Sequence, residues 1–253
     1  MARTLSAARF LSAGARPSPI AVTKRCISAL IMGAPGSGKG TISAKILQDF
    51  PFAHISTGDL LREQIREGSR LGRSAESYMA KGELVPDELI IELLLQEVRN
   101  AQAGGGGGGD GGRHVLLDGF PRTASQAQAL EEHLHVDMAL NLDVPRDTIM
   151  ERLTDRWLHA PSGRVYAYSY RPPKVHGKDD VTGEELVRRD DDKPQVVEQR
   201  LTKYEETTKP LLEHYSAKGV LYAFQGTKSD VIYQDMRRFL QEALPVPEPA
   251  QPL

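Results

Sequence analysis

The sequence predicts an α/β fold in which helices cover both faces of a parallel sheet. Short apolar runs alternate with amphipathic segments along most of the chain, as is typical of such a sheet. A glycine-rich turn at 33–41 lies between the first apolar run and the first helical segment, where a phosphate-binding loop (P-loop) belongs. Between 157 and 192, prolines, glycines, tyrosines and charges alternate without a helical period, which predicts a small β-rich insertion.

The composition excludes several classes of protein. The 253 residues carry a formal net charge of −2, which argues against a broad electrostatic surface for nucleic acid. No apolar run approaches the length of a membrane-spanning helix, so we expect no membrane partner. Cys26 is the only cysteine. An intramolecular disulfide and a four-cysteine zinc site are therefore excluded, and a reducing compartment is expected.

The two ends of the chain differ in composition from the rest. No acidic residue precedes Asp49, while Arg and Lys punctuate an Ala- and Ser-rich stretch. Such a stretch is typical of a mitochondrial transit peptide. We therefore expect residues 1–26 to be a disordered leader and the protein to act in the mitochondrial matrix. The alternative is a disordered tail with incidental charge. Residues 244–253 are Pro-rich and are predicted to be a disordered tail.

The predicted elements follow one another as strand and helix. Apolar runs predict strands at 27–32, around 54–55, at 114–117, at 138–142 and at 220–224. Helical spacing predicts helices at 41–50, from Pro86 to about 98, and at 125–133, 146–156, 194–204, 209–218 and 231–240. Ser56 is the predicted N-cap of a further helix. Residues 104–112 are glycine except for Asp110, which predicts a flexible surface insertion without chemistry.

The turn at 33–41 has the residues that a triphosphate requires. Its glycines let backbone N–H groups wrap closely around phosphate oxygens, and Lys39 can reach the outer phosphates. In the general motif a Ser or Thr directly follows the lysine, whereas here Gly40 comes before Thr41. We predict that six residues of the turn bind the triphosphate, namely Gly36, Ser37, Gly38, Lys39, Gly40 and Thr41.

Asp118 ends a predicted strand, and a carboxylate at this position can organise Mg²⁺ directly or through water. A turn-capping aspartate is the alternative for this residue alone. The segment 119–122, with sequence Gly-Phe-Pro-Arg, follows at once.

Together these segments resemble the signature set of the adenylate kinase family. The resemblance covers about residues 27–242 in order and at the family's spacing, and its motifs are highly specific. The matching segments are 33–41, 56–62, 118–122 with Gln126, 159–166, 179–183, and Arg189 with 191–192.

This resemblance implies a domain organisation and a set of roles. The core would comprise 27–55, 86–155 and 193–243, with a helical AMP-binding flap at 56–85 and a lid at 156–192. AMP would be held by Thr57, Arg62, Met79, Glu83, Val85, Gly119, Arg122, Gln126, Arg189 and Arg200. The triphosphate would also meet Arg152, Arg156, Val165, Tyr166 and Lys228. The catalytic charges would be Lys39, Arg122, Arg156, Arg189 and Arg200. Glu83 departs from a lysine common at that position, which leaves its part in AMP binding open.

Independently of the family resemblance, the fixed charges of the arginines suit phosphoryl transfer. The barrier to this reaction falls mainly through alignment and stabilisation of charge on oxygen, and arginine supplies permanently charged forks for that task. An ordinary surface charge is the alternative for each arginine alone.

Four lid residues predict how the lid is held. His159, Ser162, Asp179 and Thr182 form two pairs, with two residues between members and sixteen between pairs. This spacing mirrors the four-cysteine zinc lid of some relatives. Imidazole, hydroxyls and a carboxylate are poor substitutes for thiolates but good mutual hydrogen-bonding partners. We therefore predict a lid without structural zinc, held by hydrogen bonds. An ordinary polar hairpin is the alternative.

The phosphate donor is predicted to be GTP, with ATP or ITP left open. The segments around Trp157, 191–194 and 208–221 resemble the mitochondrial GTP-using branch of the family, whereas Lys228 resembles ATP-using members.

Three other classes of protein are rival interpretations of this sequence. A regulatory GTPase would lack the 118–122 segment and the lid arginines. A short-lid pyrimidine monophosphate kinase would lack the 156–192 insertion, and a non-catalytic nucleotide-binding module remains as a third rival. A monomer is expected.

Overall fold

The computed structural model describes residues 9–10, 26–81, 83–103, 114–189 and 192–244. Eight strands lie in this part of the chain: β1 (Arg9–Phe10), β2 (Ser28–Gly33), β3 (Phe52–Ser56), β4 (His114–Asp118), β5 (Met138–Asp143), β6 (Arg156–Leu158), β7 (Val165–Ala167) and β8 (Leu221–Gln225). The α-helices of the same ranges are α1 (Lys39–Asp49), α2 (Thr57–Arg66), α3 (Arg70–Lys81), α4 (Asp87–Ala103), α5 (Ala124–Glu131), α6 (Arg146–Thr154), α7 (Pro194–Lys203), α8 (Leu211–Ala217) and α9 (Ser229–Ala243).

Six strands form one sheet in the order β1-β8-β5-β2-β4-β3. Every neighbouring pair in this sheet is parallel, which confirms the predicted fold class. The carboxyl ends of parallel strands meet at one edge, where ligands bind in open α/β sheets. Here β2, β3 and β4 end at Gly33, Ser56 and Asp118, so the three motif segments predicted from the sequence begin side by side.

The sheet is buried on both faces, as an all-parallel sheet must be. In β2, Ala29 and Ile31 belong to the core cluster on one face, which includes residues of α1, α6, α7 and α9. Leu30 and Met32 belong to the cluster on the other face, which includes residues of α4, α5 and α8. The strand therefore reads as a continuous apolar run in the sequence because successive side chains enter two different cores.

The flap consists of α2 and α3, packed against each other. Ser56 caps α2, its hydroxyl accepting a hydrogen bond from the backbone N–H of Asp59 at 3.3 Å, which confirms the predicted N-cap. Gly72 of α3 lies against the end of α2, and a Cβ there would stand 2.1 Å from the carbonyl oxygen of Gln64. The close approach of the two helices therefore requires glycine at this position.

The lid contains the antiparallel pair β6–β7 and three isolated bridges, in agreement with the predicted β-rich insertion. The prediction that the preceding helix continues to about Arg156 is wrong, because α6 ends at Thr154. Asp155 accepts hydrogen bonds from the backbone N–H and hydroxyl of Ser169 at 2.7 and 2.6 Å. These bonds fix the point where the chain leaves the helix, and Arg156 then pairs with Ala167 in the lid sheet.

Some predicted segments fall partly or wholly outside the described residues. The glycine insertion at 104–112 does so entirely, as does nearly all of the Pro-rich tail. Within the predicted leader, Arg9–Phe10 forms β1 and pairs in parallel with Tyr222 and Ala223, so these two residues depart from the predicted disorder. No helix in the described part of the chain has the length and apolar character needed to cross a membrane.

Candidate active site

The loop 33–41 has the backbone conformation that close wrapping around a phosphate requires. Gly33, Gly36 and Gly38 have φ angles of 139°, 80° and 96°, in the left-handed region that favours glycine. Gly38 occupies the N-cap position of α1 and has no side chain to accept hydrogen bonds from the first turn. The N–H groups of that turn and the positive end of the helix dipole are therefore available to an anion.

Neighbouring side chains leave no room for larger residues in this loop. A Cβ on Gly36 would lie 2.7 Å from Cγ of Leu153, and one on Gly38 would lie 2.6 Å from Oγ of Ser229. Ser37, between the two glycines, is buried, and its hydroxyl has no hydrogen-bond partner among the described residues. Because an unpaired buried hydroxyl costs free energy, a ligand oxygen would be a favourable partner. Gly40 and Thr41 follow as exposed residues in the first turn of α1.

Lys39 is held back against the loop by hydrogen bonds. Its ammonium group donates to the carbonyl oxygens of Gly33 and Ala34 at 2.8 and 3.0 Å. The two carbonyl oxygens accept hydrogen bonds from the ammonium group, but because they are neutral they do not balance its positive charge. The Lys39 side chain is therefore placed beside the loop with its position already defined.

Several further charges surround Lys39. Burial lowers the pKa of Lys39 to about 8, the Asp118 carboxylate opposes this change, and three guanidinium groups add to it. Those guanidinium groups belong to Arg122, Arg200 and Arg156, in decreasing order of effect. Four cationic side chains from different parts of the chain thus converge at the carboxyl edge of the sheet. Such a cluster matches the charge of a polyphosphate.

Arg152 links the phosphate loop to the loop before α9. Its guanidinium donates to the carbonyl oxygen of Ser37 at 3.0 Å and to that of Thr227 at 2.9 Å. Lys228, the neighbour of Thr227, is exposed at the N-cap position of α9. The two residues predicted to meet the triphosphate from this side therefore lie next to each other and to the phosphate loop.

Asp118 lies at the end of β4, as predicted, and is only 9% exposed. Nε2 of His54 stands 3.7 Å from its carboxylate, and the carboxylate acts electrostatically on Lys39. A carboxylate oxygen near the phosphate loop is the kind of ligand that Mg²⁺ prefers. These residues fit a magnesium ion that arrives with a triphosphate.

The segment 119–122 turns sharply beneath the flap. Gly119 has a φ angle of 84°, and a Cβ there would stand 2.9 Å from Oγ1 of Thr57. Nε of Arg122 donates to the Gly119 carbonyl at 2.7 Å, and the Arg122 backbone N–H donates to Oε1 of Gln126 at 2.7 Å. Gln126 in turn donates to Asp87 at 2.6 Å. These bonds fix the direction of the Arg122 side chain.

A cleft between the flap and the core contains most of the predicted AMP residues. Its wall also includes Lys39 and the π-helical turn Tyr204–Thr208, which follows α7. Nine of the ten residues predicted to bind AMP line it: Thr57, Arg62, Met79, Glu83, Val85, Gly119, Arg122, Gln126 and Arg200. The AMP residues predicted in the flap and those predicted in the core therefore line the same cleft.

The tenth residue, Arg189, lies on the lid and acts electrostatically on Asp59 of the flap. Burial alone would raise the pKa of Asp59, but Arg62, then Ser56, and then Arg189 lower it. Arg189 is therefore close enough to act on a flap residue.

Asp192 was not predicted as a site residue, yet it holds two of the arginines that were predicted to be catalytic. Its side chain is 2% exposed and accepts a two-pronged hydrogen bond from Arg156, in which Nε stands 2.7 Å away. Nη1 of Arg200 lies 3.8 Å from the same carboxylate. Thr208 on the π-helical turn was also missed, and its hydroxyl donates to the Arg122 carbonyl at 3.0 Å. Sequence analysis could not predict either contact, because the partners are far apart in the sequence.

The predicted hydrogen-bonding set in the lid is present. Nδ1 of His159 lies 2.7 Å from the Ser162 hydroxyl, and the Thr182 hydroxyl donates to Asp179 at 3.1 Å. The Thr182 hydroxyl also bridges to Nε2 of His159 at 3.3 Å. Glu184 joins the set through the same ring nitrogen. In the described residues, no group of three or more His, Cys, Asp or Glu side chains is arranged to hold a metal ion.

Two lid residues predicted to meet the triphosphate have different surroundings. Val165 is 39% exposed, whereas Tyr166 is buried. The Tyr166 hydroxyl donates to Asp179 at 2.8 Å and accepts from the Asp180 backbone N–H at 2.9 Å. The hydroxyl of Tyr166 is therefore engaged inside the lid.

Comparison with known families agrees with this geometry. The family model described as adenylate kinase matches residues 31–220. This range includes the phosphate loop, the flap, the 118–122 segment and the lid.

Individual relatives match over most of the chain. A Drosophila melanogaster protein named "GTP:AMP phosphotransferase, mitochondrial" is 44% identical over 216 residues, which cover 85% of this chain and 96% of that protein. A Saccharomyces cerevisiae protein of the same name is 44% identical over 212 residues, covering 81% of this chain and 92% of its own. A Lachnospira eligens protein named "Adenylate kinase" is 44% identical over 204 residues, with coverage of 79% and 92%.

Proposed function

This chain belongs to the adenylate kinase family and is a phosphotransferase, and from that premise we propose that it transfers the γ-phosphoryl group of GTP reversibly to AMP. The products of this reaction are GDP and ADP. Its role would lie in the balance of purine nucleotides.

One observation carries the proposal, namely the convergence of Arg122, Arg156 and Arg200 on Lys39. Repulsion among like charges costs free energy, and the carboxylates of Asp118 and Asp192 offset part of that cost here. A phosphoryl group in transfer spreads negative charge over its oxygens, and stabilisation of that charge lowers the barrier. The convergence therefore supports a phosphoryl-transfer reaction rather than nucleotide binding alone.

The two nucleotides would approach this charge cluster from opposite sides. On one side, the N–H groups of the loop 33–41 and the guanidinium of Arg152 would face the triphosphate. On the other side, the flap cleft ends at Arg122, which suits the phosphate of AMP. Lys39 belongs to both surfaces, so the transferring group would lie beside its ammonium. This placement would hold donor and acceptor oxygens in line.

Mg²⁺ is proposed to accompany the triphosphate, and when bound it would neutralise charge on the phosphate oxygens. Asp118 would hold it, directly or through water. We propose no structural zinc, because Ser162 and Thr182 already supply hydrogen-bond partners to the buried side chains of His159 and Asp179. The lid would exclude water from the reacting phosphates.

The choice of GTP rests on the names of the fly and yeast relatives. The Lachnospira relative has equal identity and the general family name, so ATP is the second candidate. Transfer from GTP and transfer from ATP would use the same flap cleft for AMP, so the two reactions differ only in the base of the donor.

Initial rates at saturating AMP should distinguish the donors. We expect kcat/KM for GTP to exceed that for ATP by at least about tenfold, with ITP closer to GTP, because a few contacts to the base decide the preference. Higher kcat/KM with ATP would overturn the GTP assignment but not the phosphotransferase. CMP and UMP should be poor acceptors, and efficient use of either would point to a pyrimidine monophosphate kinase.

The mitochondrial matrix is the proposed location, supported by the acid-free composition of residues 1–26 and by the relatives' names. A reporter fused to residues 1–26 should enter mitochondria. Cytosolic fluorescence would contradict the location. We propose that the protein is a monomer, which its sedimentation would test.

A further inference from the structure

The lid touches the core at the first turn of α9, where Tyr170 of the lid also acts electrostatically on Arg152. The chain doubles back just after β7, where Ala167 and Arg171 exchange backbone hydrogen bonds at 3.1 and 2.7 Å. Tyr170 lies in this tight turn, and its hydroxyl donates to the carboxylate of Asp230. Asp230 belongs to the first turn of α9, in the core.

Asp230 is fixed from a second direction. Nζ of Lys45, on α1, lies 2.5 Å from its other carboxylate oxygen. The Lys45 and Tyr170 bonds lower the pKa of Asp230, in that order of effect, so Asp230 stays ionised at neutral pH. A hydrogen bond to an ionised acceptor is stronger than one between neutral groups. Asp230 thus links the lid to the helix that begins at Lys39.

We propose that Tyr170 and Asp230 form a latch that holds the lid against the core before any nucleotide binds. Both are positioning residues, since neither belongs to the charge cluster around Lys39. The inference rests on the proposed function only in that the lid covers the donor phosphates. Its geometry does not depend on which nucleotide is the donor.

The exposure of the latch makes it reversible. Tyr170 is 50% exposed, and the Asp230 side chain is 54% exposed. Water therefore competes for both groups, and contacts between exposed charged or polar side chains contribute little free energy. The latch can bias the lid without locking it. A nucleotide exchange cycle needs that property, because products must leave.

The turn has a second anchor that keeps the latch in register. Ser169, the neighbour of Tyr170, donates through both its backbone N–H and its hydroxyl to Asp155, at the end of α6. This anchor lies where the lid joins the core. A movement about that point would break the Tyr170 contact while leaving the Ser169 contact in place.

The lid–core distance in nucleotide-free protein tests the latch. Nitroxide labels on Val181→Cys in the lid and Arg99→Cys in the core, in a Cys26→Ser background, would give the closed and open populations by double electron–electron resonance. We expect Tyr170→Phe to lower the ratio of closed to open protein by about two- to fivefold. Asp230→Asn should do the same, and the double variant should show no further change.

Tyr168→Phe is the matched control. Its hydroxyl accepts a hydrogen bond from the backbone N–H of Gly177 at 2.9 Å, a contact within the lid. The control should keep the unsubstituted closed-to-open ratio, and melting temperatures should show that every variant is folded. The latch is overturned if Tyr170→Phe leaves the ratio unchanged, if Tyr168→Phe shifts it equally, or if the two latch substitutions act additively. Because no nucleotide is present, these outcomes are independent of the donor that the enzyme uses.

Discussion

Two polar clusters of this protein treat their central charge in opposite ways. In the lid, Asp179 accepts hydrogen bonds from Arg164 at 2.8 and 2.6 Å, from the Tyr166 hydroxyl at 2.8 Å and from the Thr182 backbone N–H at 2.8 Å. These donors, Arg164 first, hold the pKa of Asp179 well below its usual range. At the phosphate loop, burial and nearby guanidinium groups lower the pKa of Lys39 to about 8. The lid stabilises the negative charge of Asp179, whereas the surroundings of Lys39 destabilise its positive charge.

This difference distinguishes a cluster suited to a structural role from one suited to binding a ligand. A charge whose partners are all supplied by the protein contributes to folding. A charge crowded by like charges costs stability and is retained where a ligand of opposite charge relieves the repulsion. Both pKa values are lowered, which favours the charged form of the Asp179 carboxyl group and disfavours the charged form of the Lys39 ammonium group. The lid cluster therefore suits a structural role, and the cluster around Lys39 suits a ligand of opposite charge.

The largest expected effect comes from removing the central charge of the cleft. Lys39→Met should lower kcat by at least about a thousandfold, because stabilisation of charge on the transferring group is lost. The protein should remain folded. Lys209→Met, which removes an exposed lysine elsewhere, should leave kcat unchanged. A folded Lys39→Met protein that keeps more than a tenth of the rate would break the distinction between the two clusters.

An arginine from each cluster sharpens the comparison. Arg122→Ala should weaken AMP binding by about a hundredfold while triphosphate binding changes little, because Arg122 faces the flap cleft. Arg164→Ala should instead lower the melting temperature and leave AMP binding nearly unchanged. Calorimetric titrations with each nucleotide measure both effects. Equal weakening of AMP and triphosphate by Arg122→Ala would place this arginine elsewhere in the reaction.

The lid cluster should respond through structure rather than through chemistry. Asp179→Asn leaves Arg164 without its anionic partner, so we expect a lower melting temperature and a fall in kcat of at most about a hundredfold through a misplaced lid. AMP binding should be spared. The control is Asp180→Asn, since the Asp180 carboxylate accepts a hydrogen bond only from a nearby backbone group, the N–H of Lys174 at 2.7 Å, among the contacts described. An unchanged melting temperature for Asp179→Asn would contradict a structural role.

A smaller effect should appear in the pH dependence of stability. The pKa of Lys39 falls from an ordinary 10.5 to about 8 in the folded protein. The unfolded chain therefore binds more protons between these values, and the Lys39 charge costs stability below about pH 8. Lys39→Met should gain in melting temperature relative to the unsubstituted protein at pH 7, and this gain should shrink as the pH rises from 8 to 10.5. A difference that is constant over this window would show that the like charges do not destabilise Lys39.

The smallest expected effect is that of a chelator. If hydrogen bonds alone hold the His159 cluster, removing divalent metals should leave the melting temperature unchanged. Elemental analysis should find far less than one zinc per chain. If the protein contains one zinc per chain, and chelation removes both the zinc and the stability, the His159 cluster is a metal site.

The sequence by itself determined the elements whose signals are local. The run 27–32 predicts a strand, because it is a short apolar run that ends at a glycine-rich turn. The conformation of the loop 33–41 follows from its glycines, and the cap at Ser56 follows from a hydroxyl that bonds within three residues. The pairing within the lid could be predicted too, since His159 and Ser162, and Asp179 and Thr182, are close in sequence. Family resemblance then assigned most of the cleft residues.

Only the tertiary structure decided contacts between residues far apart in the chain. Asp192 holds Arg156 across 36 positions, Thr208 supports Arg122 across 86, and Tyr170 reaches Asp230 across 60. No periodicity or spacing encodes such pairs, because they depend on how rigid elements pack against one another. The lowered pKa of Lys39 has the same origin. Its causes are burial and charges from three separate segments, namely 118–122, the lid and α7, which become neighbours only in the folded protein.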